Sequence, residues 1–165
     1  MAGFHTKTFL KYDDYMTPKY AWENIKDFIP KDKIIYEPFY GDGKSGEYLK
    51  ELGCKNVIHK EIDFYEECDK LEYDLIISNP PFSDSKKILN KLKEIDKPFI
   101  LILPSSKINT QYVRENYKNT SLQIIIPRKR IQFIKDGDKL QNKCNFDCFY
   151  YCYKMNLEKD IIWLE

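Results

Sequence analysis

The stretch Lys33-Ile34-Ile35-Tyr36-Glu37-Pro38-Phe39-Tyr40-Gly41-Asp42-Gly43-Lys44-Ser45-Gly46 reads as an apolar strand, a tight turn and the start of a helix. Gly41 and Gly43 allow a sharp turn and close approach of the backbone to a ligand. A helix starting at Lys44 leaves free N–H groups that favour anionic or polar ligand atoms. Gly-x-Gly alone is weak, because many strand–turn–helix corners use glycine only for the turn. A phosphate-binding Gly-x-x-x-x-Gly-Lys-Ser loop is excluded, since Lys44-Ser45 follows Gly-Asp-Gly.

Strand-like and helix-like segments alternate outward from this corner. Upstream, Thr17 is read as an N-cap with Pro18 at the first helical position. That helix is expected to run to about Phe28, with Trp22, Ile25 and Ile29 at helical spacing, and to stop before Pro30. Downstream, Lys44–Leu52 is expected to be a helix with Gly53 as C-cap. Asn56–Ile62 and Asp74–Ser78 are expected strands, the second wholly apolar through Leu75, Ile76 and Ile77, like a central parallel strand. Ser83 or Ser85 caps a helix bearing Ile88, Leu92 and Ile95 on one face. Pro98–Leu103 and Leu122–Ile126 are strands around a helix at Thr110–Tyr117. Arg130–Ile134 and Phe146–Tyr153 flank an Asp136-Gly137 turn and a polar loop, which predicts an antiparallel excursion. The expected fold is therefore α/β, three layers around a mostly parallel sheet with an antiparallel C-terminal edge. One domain is expected over residues 1–165.

Composition narrows the class. The chain has 165 residues, of which 42% are hydrophobic, 15% aromatic and 32% charged. That excludes a disordered or fibrous chain. No apolar run approaches a membrane span, and Met1–Leu10 has no apolar signal core. The five cysteines are an odd number without a secretory signal, so they read as reduced thiols in an intracellular, reducing compartment. The net charge of +1 excludes a polybasic protein. Its distribution says more. Residues 1–82 hold 11 basic and 16 acidic side chains, whereas residues 83–165 hold 16 and 10. The first part is net acidic and the second net basic, so the two halves are suited to different partners.

In parallel sheets, ligands sit beyond the carboxyl ends of the strands. The expected second strand ends in Lys60-Glu61-Ile62-Asp63, with Glu61 18 and Asp63 20 residues after Gly43. An acid at that distance is placed to bind ribose hydroxyls; the plain alternative is a solvated strand end. The next strand ends in Ser78-Asn79-Pro80-Pro81-Phe82. Its prolines cannot continue a sheet and hold a rigid extended loop. The Asn79 side-chain carbonyl and the Pro80 main-chain carbonyl can both accept from one exocyclic amine. They would also stabilise charge developing on that nitrogen. Phe82 offers a flat face for a base, or else a buried anchor.

Asn79-Pro80-Pro81-Phe82 resembles the catalytic motif of S-adenosylmethionine-dependent adenine-N6 methyltransferases, Asn/Asp-Pro-Pro-Tyr/Phe/Trp. Glu37-Pro38-Phe39-Tyr40-Gly41-Asp42-Gly43 is similar to their cofactor loop, although Asp is more usual than Glu at its first position. Tyr15-Met16-Thr17-Pro18 resembles the Thr-Pro that precedes this loop where the cofactor motif comes before the catalytic one. The motifs run from residue 15 to 82, about half the chain. The resemblance implies a Rossmann-like methyltransferase acting on adenine N6. Thr17 with Pro18 would bind the amino-acid end of S-adenosylmethionine. Glu37, Pro38, Phe39, Gly41 and Gly43 would line its methionine part. Glu61 would bind its ribose, Asp63 and Phe64 its adenine. Asn79, Pro80, Pro81 and Phe82 would hold the target base, Asn79 also touching the cofactor. No separate target-recognition domain is apparent. RNA adenine and protein glutamine methyltransferases share the chemistry, and a non-catalytic nucleic-acid-binding homologue shares the fold; these remain alternatives.

A nucleic-acid surface, for DNA ahead of RNA, is expected in the basic half. Lys86 and Lys87 begin a helix beside the catalytic loop, and Arg128-Lys129-Arg130 forms the densest basic cluster. Arg130-Ile131-Gln132-Phe133 also resembles an Arg-x-x-Phe segment of small phage-type adenine methyltransferases. Cys144, Cys148 and Cys152 recur every four residues in or beside a strand, so they are expected to be buried thiols on one face and not a metal site. Phe149-Tyr150-Tyr151 is read as core.

Overall fold

A computed structural model describes residues 15–135, 139–140 and 144–165. Helix α1 (Lys19–Glu23) leads into strand β1 (Ile34–Tyr36), α2 (Lys44–Glu51), β2 (Asn56–Ile58), α3 (Phe64–Glu67) and β3 (Leu75–Ser78). Then follow α4 (Ser85–Ile95), β4 (Phe99–Pro104), α5 (Gln111–Tyr117) and β5 (Leu122–Ile126). The short strands β6 (Ile134–Lys135) and β7 (Lys139–Leu140) precede β8 (Cys148–Tyr153) and β9 (Ile161–Trp163).

Seven strands form one sheet in the order β2-β1-β3-β4-β8-β5-β9. All neighbours are parallel except β8, which runs against both β4 and β5. The C-terminal part of the chain therefore supplies the reversed strand, as expected, and β5 and β9 lie outside it. After β1 the chain builds β2 on one flank, then crosses to build β3 on the other. This change of direction opens a crevice at the carboxyl ends of β1 and β3.

Side-chain alternation along the strands divides the core between the two sheet faces. Ile35, Ile77, Ile100, Ile102, Tyr150 and Cys152 meet Trp22, Ile25 and Leu49 from α1, its continuation and α2. Tyr36, Ile76, Phe99, Leu101, Tyr151 and Tyr153 meet Ile88, Leu92, Val113 and Tyr117 from α4 and α5. Each such large apolar side chain contributes about 1.5–3 kcal/mol through burial. Buried tyrosines keep their hydroxyls paired: Tyr150 donates to Ala21 O at 2.5 Å and Tyr117 to Leu89 O at 3.0 Å.

Several local expectations change. The first helix is shorter, with Pro18 as its N-cap and no side-chain cap; a 3-10 turn at Lys26–Phe28 completes the segment. Trp22, Ile25 and Ile29 are nonetheless buried as their spacing predicts. Strand β2 stops at Ile58 instead of Ile62, because His59 turns to bond the Glu37 carbonyl. Arg130–Ile134 is not a strand beside β8. Both edges of β8 are taken by β4 and β5, and Ile134 pairs with Leu140 in a separate hairpin. Ile131 and Phe133 go into the core instead. Asp136-Gly137, the expected turn, lies outside the described residues. The helix after Asn79-Pro80-Pro81-Phe82 starts at Ser85, with Asp84 as N-cap. Helix α3 and edge strand β9 are additions. Among the described residues, no helix is long and apolar enough to cross a membrane.

Tyr150→Phe removes the hydroxyl that ties β8 to α1. The expected loss is about 1–3 kcal/mol, the cost of an orphaned buried acceptor. It is read as a lower urea midpoint at unchanged slope.

Candidate functional site

A cavity of about 470 Å³ opens where the sheet changes direction. This is within the roughly 300–1,000 Å³ usual for small-molecule and cofactor sites. Four segments wall it: Tyr15–Thr17, the loop after β1, residues 61–65 after β2, and the loop after β3.

Glu37 lies at the floor and is only 1% exposed. Its Oε1 accepts from the Phe39 amide at 2.9 Å and from Ser78 Oγ at 2.5 Å. Burial pushes its carboxyl up to about 8, although these hydrogen bonds pull the other way. The same residue's carbonyl accepts from His59 Nδ1 at 2.9 Å. A carbonyl can only accept, so Nδ1 carries the proton. Burial also lowers the His59 pKa, favouring the neutral ring. Tyr40 stacks on that ring with centroids 4.8 Å apart. A Cβ on Gly46 would stand 2.6 Å from His59, so only glycine lets the first turn of α2 close here. Gly41 has φ +59 and Gly43 φ +82, the left-handed conformations expected of this turn.

The loop after β3 brings its acceptors into the cavity. Asn79 Nδ2 donates to Thr17 Oγ1 at 2.8 Å, which fixes the amide's orientation. Asn79 Oδ1 is buried and has no hydrogen-bond partner among the described residues. A buried acceptor left unsatisfied costs about 1–3 kcal/mol and is the natural seat for an external donor. The expected helix-capping role of Thr17 is therefore replaced: its hydroxyl serves Asn79. Pro80, Pro81 and Phe82 also line the cavity. Phe82 meets Phe133 and Phe146 edge-on, at 6.0 and 5.8 Å. It is thus both a cavity wall and a packing anchor.

On the opposite wall, Glu61 is exposed at the cavity. Asp63 lines it too, but its Oδ1 accepts from the Glu66 amide at 3.1 Å and caps α3. Phe64 is buried against Phe39, centroids 5.2 Å apart. Of the sequence-predicted cofactor residues, Thr17, Glu37, Pro38, Phe39, Gly41, Glu61, Asp63, Phe64 and Asn79 line the cavity together. Pro18 and Gly43 do not, and act through the backbone. Met16, Tyr40, Asp42, Ser45, Tyr65 and Asp84 line it without having been singled out. Their only signal in the sequence is adjacency to the motifs.

The basic residues fall into two groups. Lys86, Lys87, Arg128 and Lys129 are exposed. Arg128 and Lys129 follow the carboxyl end of β5, which points the same way as β3 and β4, and hence stand along the cavity's edge of the sheet. Arg130 is already engaged. It forms a two-pronged ion pair with Asp147 at 2.9 and 3.1 Å and donates to Cys144 O at 3.0 Å. Cys148 and Cys152 are buried on one sheet face, and Cys144 is half-buried outside the strand. Among the described residues, no group of three or more His, Cys, Asp or Glu is arranged to hold a metal ion.

No protein-family model matches the chain, and no curated protein matches it.

The raised carboxyl of Glu37 has a signed consequence. The folded state holds this proton more tightly than the unfolded chain, so stability falls as pH rises from about 4.5 towards about 8. The slope is on the order of 1 kcal/mol per pH unit within that window. Thermal unfolding between pH 5 and 8 should show this decline, and Glu37→Gln should flatten it.

Proposed function

We propose that this chain is an S-adenosylmethionine-dependent methyltransferase that methylates the N6 amino group of adenine in DNA, on a Rossmann-like three-layer scaffold. The observation that carries the proposal is Asn79. Its Nδ2 is committed to Thr17, while its Oδ1 is buried, unpartnered and beside the cavity. That is the state of an acceptor prepared for an amine donor. Parallel strands that change direction at the cavity support the scaffold part of the reading.

The residues fit the cofactor by size and chemistry. Glu61 would hold the ribose hydroxyls in preference to Asp63, whose carboxylate is already capping α3. Glu37, Pro38, Phe39 and Gly41 would enclose the methionine part, with Thr17 at its amino-acid end. Phe64 and Asp63 would flank the adenine. When bound, S-adenosylmethionine supplies an electrophilic methyl group on a sulfonium sulfur.

Asn79 Oδ1 and the Pro80 carbonyl accept the two N6 hydrogens of the target adenine. These bonds would orient the nitrogen lone pair and stabilise its positive charge as the nitrogen–carbon bond forms and the methyl–sulfur bond breaks, the electron pair staying on sulfur so that a neutral thioether leaves. Phe82 stacks on the base. No strong base is needed, because the proton leaves to water after transfer. In a duplex the target base has to be flipped out of the stack. Lys86, Lys87, Arg128 and Lys129 supply phosphate contacts that position the strand without reading sequence. Arg130 supports this surface by holding the loop before β8 and is not itself a free phosphate ligand.

The deciding experiment incubates the protein with labelled S-adenosylmethionine and DNA, RNA or protein extract. N6-methyladenine in the DNA digest is the expected product; label confined to RNA or to protein overturns the substrate assignment. Asn79→Ala should lower transfer by roughly 10²–10³-fold, as loss of a charge-stabilising partner does, while cofactor binding largely persists. Reversing Arg128 and Lys129 to Glu should weaken DNA binding and reduce the salt dependence by about two phosphate equivalents. An unchanged slope removes that surface from the reading.

A further inference from the structure

We infer that a hydrogen bond between Tyr65 and Asp84 is a positioning latch, joining the cofactor wall of the cavity to its target-binding turn. The inference rests on the methyltransferase reading for its purpose but on separate residues for its geometry.

Tyr65 Oη donates to Asp84 Oδ2 at 2.8 Å, across 19 residues of sequence. Both residues line the cavity. Tyr65 belongs to α3, which Asp63 caps and whose Phe64 packs on Phe39. Its position is thus fixed by the segment expected to hold the cofactor's nucleoside. Asp84 closes the 3-10 turn Phe82–Asp84, directly after Pro80-Pro81, and precedes α4.

Asp84 occupies the N-cap position of α4, where an aspartate ordinarily accepts from its own helix. Its side chain makes no such bond and reaches across to Tyr65 instead. Burial and the neighbouring carboxylate both raise the Tyr65 pKa, so its hydroxyl stays a proton donor. Lys87 Nζ stands over the Tyr65 ring, 4.1 Å from the centroid, and restrains it from the α4 side. Beside this contact, Asp84 N donates to Pro81 O at 3.3 Å and Ser85 Oγ to Phe82 O at 2.7 Å within the turn, and the Phe82 ring packs edge-on against Phe133 and Phe146. A bond to a charged acceptor is stronger than either of these neutral ones. Cutting it loosens the Asp84 end of the turn, whose Phe82 end stays anchored by its ring contacts, and a small misplacement there costs transfer rate.

The test compares Tyr65→Phe, Asp84→Ala, the double variant and Asp84→Asn, which keeps an acceptor oxygen. Backbone order parameters from ¹⁵N relaxation at Ser83, Asp84 and Ser85 should fall from about 0.85 to below about 0.6 in Tyr65→Phe and Asp84→Ala. Asp84→Asn should restore most of that order, and strand amides should be unchanged in all variants. In the methyl-transfer assay, kcat/KM for DNA should drop roughly tenfold in each single variant, as loss of one charge-assisted bond predicts. The double variant should be no worse, because both changes cut the same bond. Unchanged order parameters overturn the latch, as do single effects that multiply in the double variant. If the wild-type protein transfers no methyl group to any acceptor, the functional reading fails and relaxation alone decides the latch.

Discussion

The buried carboxyl of Glu37 is the constraint on which the site depends. It stands at the end of β1 and accepts from Ser78 at the end of β3, so one side chain fastens together the two strands between which the sheet changes direction. The Phe39 amide closes the turn onto the same oxygen, and the Glu37 carbonyl draws in His59. Burying a carboxyl is costly unless it is hydrogen-bonded or protonated. Here it is bonded, and its raised pKa allows it to be neutral near physiological pH. The glycine loop and the cut-off of β2 at Ile58 follow from this knot.

Around it the cavity has two chemically different walls. One is the glycine loop with Glu61 and the α3 turn, rich in acceptors and suited to a polar, hydroxyl-bearing ligand. The other is the rigid Asn79–Phe82 loop, whose orphaned acceptor suits an amine. Thr17 joins the N-terminal strap to the second wall by orienting Asn79. The strap is in turn paired through Met16 with Ile134 of the hairpin that precedes β8. Residues more than a hundred positions apart thus share responsibility for one amide's orientation.

Charge shows how a sequence-level quantity gains meaning only in three dimensions. The acidic first half and the basic second half were visible as numbers. Arg128-Lys129-Arg130 was visible as a cluster. The sheet gives Arg128 and Lys129 an exposed place after the carboxyl end of β5, on the same edge of the sheet as the cavity, but Arg130 is consumed by Asp147. Their neighbourhood in sequence could not separate them, because Asp147 arrives from another loop.

By itself, the sequence determined the alternation of elements, the central apolar strand at Leu75–Ser78 and the loops that would carry chemistry. These depend on local properties: side-chain period, glycine at positive φ, and proline's inability to extend a sheet. It also singled out Glu61 and Asn79 by type and spacing, and Glu37 only through the resemblance of its loop to a known cofactor loop. The tertiary structure alone decided that β8 lies between β4 and β5, that Thr17 serves Asn79 instead of capping a helix, and that Asp63 caps α3. It alone joined Tyr65 to Asp84. The reason is that an isolated Thr, Asp or Tyr has several feasible hydrogen-bond partners of similar strength. Which one it takes is set by the groups that packing brings within 3 Å, and those groups lie far away along the chain.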